Sequence, residues 1–353
     1  VNFGVLENKI SVIIPVYNAA AFVEKAVKSA LIQPEVGEII LVEDGSKDNS
    51  LQVCQSLAEQ YKLVKLYSHS GNVNRGAGMS RNLGINKASG EYIAFLDADD
   101  FFLPHRFRAE REIFFNKPET DGVYGALGFH YYSTEGEKRY NEKGFTGDLT
   151  TISGKVPANE LFQVLIGFHH KYQGHFSIDT LTVKRDVFFG KSELFNLLPM
   201  HEDTVFFIQL SLNCKLEAGI IEEPIGYRGV HDNNRIVNNN KKSGSLVIMW
   251  RYLYEWSLDA PNGKQYSQLF RAFLMREKIL LSNRFSGFFN MILYVVLNKI
   301  FLTQGIFFNP SSTHVFGNFM ARKLIFFKEK IQCKLFKGDP NEFNVDFKLK
   351  GKR

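Results

Sequence analysis

Apolar and polar positions alternate in blocks along the first hundred residues. "SVIIPV" (Ser11 to Val16) and "EIILVE" (Glu38 to Glu43) are nearly unbroken apolar runs, which predicts strands buried on both faces. Between them Phe22, Val23, Ala26, Val27, Ala30 and Leu31 recur at three- and four-residue spacing, predicting a helix with Asn18 placed to cap it. Leu51, Cys54, Leu57 and Ala58 give a second buried stripe, with Asp48 to Ser50 at its start. "LVKLY" predicts a third strand, Gly76 to Ala88 a helix, and "YIAFL" a fourth strand. The implied fold class is α/β, a parallel sheet covered by helices.

In such sheets ligands bind beyond the carboxyl ends of the strands. "PVYN" follows the first strand, "EDGSKDNS" the second and "DADD" the fourth, so three polar loops are expected on one rim. From Asp121 the pattern turns mixed, with strands expected at "GVYGALGFHYY" and "SIDTLTVKR" and a helix starting near Glu202. "NNNKKSGS" (Asn238 to Ser245) reads as a linker, followed by amphipathic helical patterns and a Phe-rich basic tail. We therefore expect a main domain over 1–240, with a nucleotide-binding half (1–120) and an acceptor half (121–240). Residues 241–353 are expected to form a helical, aromatic and basic extension.

Composition narrows the classes. A chain of 353 residues with 44% hydrophobic content can build one large domain plus an appendage. Three dispersed cysteines make neither a disulfide framework nor a metal-binding pair, which suits a reducing compartment. Between Arg322 and Arg353 ten Lys/Arg face four Asp/Glu, so this tail alone carries the net +6. The other 321 residues balance at 33 basic and 33 acidic, which argues against a nucleic-acid-binding face. No basic and apolar leader is visible, and "GFFNMILYVVLNKIFL" is broken by Asn290, Asn298 and Lys299. A cytoplasmic protein is expected. The aromatic and basic tail suits either an interfacial helix on an anionic membrane or packing on the main domain, so a peripheral position on the cytoplasmic membrane face is also expected.

"DADD" crowds Asp97, Asp99 and Asp100 after an apolar strand, where mutual repulsion would drive protonation unless a cation intervenes. Carboxylates plus phosphate oxygens are the usual ligands of Mg²⁺ or Mn²⁺ beside a nucleotide. Alone, such a pair is as compatible with a solvated loop or a helix cap.

In its surroundings the loop resembles the family-2 glycosyltransferases of the nucleotide-diphosphosugar transferase fold called GT-A. The matching stretches are "VIIPVYN", "ILVEDGSKDNS", "NRGAGMSRNLGINKASGEYIAFLDADD" and "HEDTVFF", over roughly residues 9 to 235. The resemblance implies a GT-A mixed sheet flanked by helices and an inverting, metal-assisted transfer of a sugar. The donor would be a nucleotide-sugar, a UDP-sugar first of all, and the acceptor a glycan or lipid-linked sugar. Pro15, Val16 and Tyr17 would flank the base, and Asp44 would bond uracil, with Glu43, Ser46, Arg81 and Ala98 nearby. Glu43 stands where the family usually has Asp. Asp97 would reach the ribose or the metal shell, Asp99 would ligate Mn²⁺ or Mg²⁺, and Asp100 would cap the next helix. His231 would approach the metal, and Asp203 would be the catalytic base.

Rivals are weaker. "GAGMSR" follows the third strand and has Arg81 where a dinucleotide fold needs glycine, and no phosphate-binding GxxxxGK[ST] occurs. A sugar nucleotidyltransferase would need a Gly-rich basic loop where "PVYNAAAFVEK" stands. A catalytically silent sugar-nucleotide-binding scaffold is the non-enzyme alternative.

Overall fold

The structure is a computed structural model. It describes residues 6–142, 148–188, 194–198, 200–232, 234 and 244–281. In chain order its elements are β1 (Ile10–Val16), α1 (Val23–Leu31), β2 (Val36–Glu43), α2 (Ser50–Gln60), β3 (Val64–Ser68), α3 (Ala77–Lys87), β4 (Tyr92–Phe95), β5 (Phe101–Phe102) and α4 (Arg108–Asn116). There follow β6 (Gly122–Tyr124), β7 (Ala126–Tyr131), α5 (Thr134–Glu142), α6 (Leu161–Leu165), β8 (Thr182–Lys184) and α7 (Glu202–Asn213). The last are β9 (Leu216–Ala218), β10 (Pro224–Val230), α8 (Ser245–Asp259) and α9 (Ser267–Leu281).

Seven strands form one sheet in the order β3-β2-β1-β4-β8-β6-β9. The first four run parallel, as their apolar character requires; β8 is antiparallel to both β4 and β6, and β9 runs parallel to β6. Strict alternation along β1 divides the core. Val12, Ile14 and Val16 pack with Val23, Ala26, Val27 and Ala30 of α1 on one face, and Ile13 packs with Phe95, Phe206 and Phe207 on the other.

The apolar run expected as one strand from Gly122 breaks at Gly125. A Cβ there would lie 2.5 Å from Ile225 Cδ1 and 2.9 Å from Ile220 O, so the bare backbone lets the chain leave the large sheet. It enters a second, three-stranded sheet ordered β5-β10-β7. "SIDTLTVKR" is likewise shorter than expected, a 3-10 turn over Ile178–Thr180 followed by β8.

Asn18 does not cap α1, which starts at Val23 without a side-chain cap. With φ of 51°, Asn18 instead donates its backbone N–H to Ser46 Oγ at 3.0 Å and accepts Lys47 N–H on Oδ1 at 2.8 Å. Ser50 Oγ accepts Ala19 N–H at 2.8 Å. The loops after β1 and β2 are thus stapled into one rim.

Residues 1–287 form one compact unit, and 288–353 a second that lies outside the described residues. The boundary expected at 240 and the linker residues 238–243 also lie outside them, as does the expected interfacial tail. In the first unit Trp250 of α8 stacks on Phe273 of α9 at 4.3 Å, and Phe162 of α6 meets Tyr266 at 4.4 Å. Phe270 and Phe273 of α9 also meet Phe162 and Phe168, so these helices dock against the segment around α6. Among the described residues no helix is long and apolar enough to cross a membrane.

Candidate active site

The rim after β1 and β2 is built by carboxylates that act on the backbone. Glu43 is fully buried, and its oxygens accept the N–H of Ser46 at 2.6 Å and of Gly45 at 3.1 Å. Asp44, equally hidden, accepts the N–H of Arg75 at 2.7 Å and of Gly76 at 2.8 Å. Both side chains shape the turns around the rim, and neither offers an open carboxylate in this arrangement. Pro15 and Val16 are buried at the end of β1, and Tyr17 is 43% exposed at the mouth.

The loop after β4 is the acidic one. Asp97 Oδ1 accepts from Arg81 Nη2 at 2.6 Å, and the Asp97 backbone N–H donates to Asp179 Oδ1 at 2.7 Å. Ala98 is buried. Asp99 Oδ2 lies 3.2 Å from His231 Nε2 and 3.3 Å from Asn234 Nδ2. Asp100 does not cap the helix that follows: it is buried and accepts the Gly229 N–H at 2.8 Å, tying the acidic loop to β10.

Oxygens of Asp97, Asp100 and Asp179 lie within 4.8 Å of one another. Burial, then the charge of Asp179, raises Asp100 well above the ordinary carboxylate range. Burial, then the charge of Asp97, raises Asp179 in the same way. Arg228 opposes both shifts, and its own guanidinium, despite burial, is held above its ordinary value by Asp100 and Asp179. Asp97 and Asp99 keep 38% and 32% of their side chains exposed, so the open side of the cluster is theirs. Hard carboxylate oxygens in surplus, with an imidazole at Asp99, suit a Mg²⁺ or Mn²⁺ ion.

Arg81 joins this cluster to the opposite wall. Its side chain is 4% exposed; one nitrogen bonds Asp97, Nη1 stands 3.8 Å from Glu202 Oε1, and Nε and Nη1 have no hydrogen-bond partner among the described residues. Burial works against its charge, yet Asp97 and Glu202, with Asp203 beyond, hold it above its ordinary value. The neighbouring Asn82 anchors the approach to that wall: its Nδ2 donates to Phe195 O at 2.7 Å, and its Oδ1 accepts the N–H of Phe195 at 2.9 Å. Asp203, in the first turn of α7, is half-buried and accepts its neighbour's Thr204 N–H on Oδ1 at 2.7 Å. The charge of Asp203 also acts on His175, raising a pKa that desolvation by its crowded surroundings and then Arg228 lower.

Arg81, Asp97, Asp99, His231 and Asp203 thus share one charged neighbourhood, while Glu43, Asp44 and Ser46 serve the adjoining rim. Asp179, Arg228 and His175 were not assigned from sequence. A signal existed for the first two, since a charged residue inside "SIDTLTV" or "YRGV" is costly to bury without a partner.

A family model described as Glycosyl transferase family 2 matches residues 11–186. An uncharacterized glycosyltransferase of Haemophilus influenzae is 32% identical over 205 residues, 56% of this chain and 70% of that protein. The cholesterol galactosyltransferase of Borreliella burgdorferi is 27% identical over 245 residues, 67% of this chain and 62% of that protein. Three other glycosyltransferases are matched over only 28%, 37% and 45% of their own length. Among solved structures, S. aureus TarS 1-349 in complex with UDP-GlcNAc superposes with a TM-score of 0.55 at 17% identity, covering 76% of this chain and 71% of that one. At that identity the likeness is one of fold, the GT-A arrangement.

Proposed function

The chain belongs to glycosyl transferase family 2, and from that premise we propose that it transfers a sugar from a UDP-sugar to a hydroxyl of a glycan or glycolipid acceptor, by a single displacement with inversion. The observation that carries this reading is Arg81, which spans from Asp97 of the acidic loop to the Glu202–Asp203 turn. It sets a donor-side carboxylate and a candidate base on two walls of one site. TarS, solved with UDP-GlcNAc, supports a uridine nucleotide, and the cholesterol galactosyltransferase supports a hexosyl group.

Asp97, Asp99 and His231 would hold Mn²⁺ or Mg²⁺, with Asp100 and Asp179 behind them. Such an ion supplies fixed positive charge where the departing diphosphate becomes more negative. Arg81 adds two nitrogens, Nε and Nη1, that have no acceptor among the described residues, a donor pair suited to an anionic part of the nucleotide. Arg228 offsets the charge of the buried acids Asp100 and Asp179 behind the loop. Asp203 accepts the proton of the acceptor hydroxyl as its oxygen attacks the anomeric carbon, on the face opposite the leaving group.

Ligand-dependent stabilisation tests this. UDP at about 100 times its dissociation constant adds about 2.7 kcal/mol. That raises Tm by roughly 5 to 10 °C for a domain of this size. We expect that rise with UDP and Mn²⁺ together, and smaller ones with ADP or without the metal. Equal shifts for UDP and ADP, with no metal requirement, would count against a uridine donor.

A further inference from the structure

A collar of aromatic rings stands beside the acidic loop, against His231, and its other rings have no part in the reaction just described. Phe22 is stacked on His231 at 4.3 Å and lies 5.1 Å from Tyr132. His130 meets Tyr132 edge-on at 4.7 Å and Phe101 at 5.2 Å, and Phe101 meets Tyr227 at 5.5 Å. The rings come from the loop before α1 and from the small sheet β5-β10-β7. They are not closed over, since Tyr132 keeps 36% of its surface.

Gly229 fastens the collar to the reaction centre. A Cβ at that position would fall 2.6 Å from Tyr132 Cε2 and 2.1 Å from the Asp99 carbonyl oxygen. Without it, the tyrosine ring and the acidic loop close on the same strand. A molecule lying on Tyr132 is therefore next to Asp99.

Lys25, from the first turn of α1, supplies the charge. Its Nζ sits 3.6 Å above the Phe101 ring centre and 4.8 Å from that of Tyr132. Burial lowers its pKa, and no acidic side chain among the described residues offsets that shift. A cation held on ring faces without a counter-ion is already partly desolvated, so a bound anion gains its attraction at reduced cost. The C–H face of a sugar ring packs on aromatic faces, and binding sites pair such apolar area with a few placed polar groups.

We propose that the collar is an acceptor subsite: a sugar ring lies on Tyr132, and an anionic substituent on that sugar, phosphate or carboxylate, pairs with Lys25. This rests on the glycosyltransferase reading above. The acceptor is then an acidic glycan rather than a neutral one.

The test titrates the full chain by NMR with glucose, glucose 6-phosphate and glucuronic acid, which share a ring and differ in charge. The charged sugars should bind about two- to fivefold more tightly than glucose, the worth of a partly exposed ion pair. Preference for the phosphate alone, the carboxylate alone or both identifies the substituent and supports the proposal. Lys25→Met should erase the preference, and Tyr132→Leu should weaken all three sugars. Tyr132→Phe, which keeps the ring, should retain them, and it covers the case in which the leucine variant does not fold. UDP affinity should stay within twofold in every variant. Equal binding of charged and neutral sugars, a preference that survives Lys25→Met, or no binding of any of the three would overturn the proposal. So would UDP affinity falling in step with sugar affinity, because the collar would then serve the donor. If UDP fails to bind the wild-type chain while the charged sugars behave as expected, the donor reading falls and the collar stands.

Discussion

Replacing Asp203 with Asn should lower kcat for sugar transfer by about 10² to 10⁴, the range a positioned general base contributes. The exchange is conservative in structure. Asp203 Oδ1 accepts the Thr204 N–H at 2.7 Å, and an amide oxygen can accept the same bond. It removes a negative charge and the capacity to take a proton, while the contacts of Asp97, Asp99 and His231 are left in place. UDP affinity should therefore change little, and the loss should appear in kcat rather than in donor KM. Transfer assays with a UDP-sugar and calorimetric UDP titration of the same variant check both halves. Unchanged turnover would remove Asp203 from the chemistry, and lost UDP binding would place it on the donor side.

The largest stability effect is expected at Arg106, which has no exposed surface. It ion-pairs through Nη1 with Glu110, donates from Nε to Asp179 O at 3.1 Å and from Nη2 to Thr182 Oγ1 at 3.2 Å. Its guanidinium also lies 4.6 Å from the Phe107 ring centre. Burial already pushes Glu110 above the ordinary carboxylate range, with Arg106 working the other way. Arg106→Met leaves that acid buried beside the Thr182 hydroxyl alone. Breaking a buried pair from one side costs about 3 to 5 kcal/mol. At roughly 2 to 4 °C per kcal/mol, Tm should fall by about 6 to 20 °C. The double variant Arg106→Met, Glu110→Leu should recover much of the loss, since no charge is then left unpaired. Thermal unfolding of wild type and both variants measures this; a single variant as stable as wild type would show that Glu110 does not depend on Arg106 for its burial.

The parallel half of the fold is legible in the sequence because its strands are apolar throughout and its helices repeat a clean stripe. Ile13 and Ile14, adjacent in the chain, face opposite cores, as the two-residue period dictates. The sheet change at Gly125 is hidden, because a glycine between two apolar runs reads equally well as one continuous strand. Asn18 misleads for a related reason: a residue that suits a cap also tolerates positive φ, and here the second property prevails.

The site divides in the same way. The acidic loop and the Glu-Asp turn are local patterns that can be read directly. Asp179 and Arg228, which join the acidic loop, stand more than 80 residues beyond Asp97 in the chain, and the cost of burying each announces a partner without saying which. Asp44 has a structural part that its motif does not announce: each of its oxygens accepts one backbone N–H, from residues 75 and 76 of a loop distant in the chain.

The central claim is that Asp97 and Asp99 hold a metal-bound nucleotide facing Asp203. The most direct measurement is an anomalous-scattering crystal structure of the full chain with UDP and Mn²⁺. The account predicts a manganese peak in contact with the carboxylates of Asp97 and Asp99 and the diphosphate, with Asp203 across the cleft from it. A bound UDP whose diphosphate and manganese lie away from that loop, with Asp203 opening onto a different surface, would contradict it.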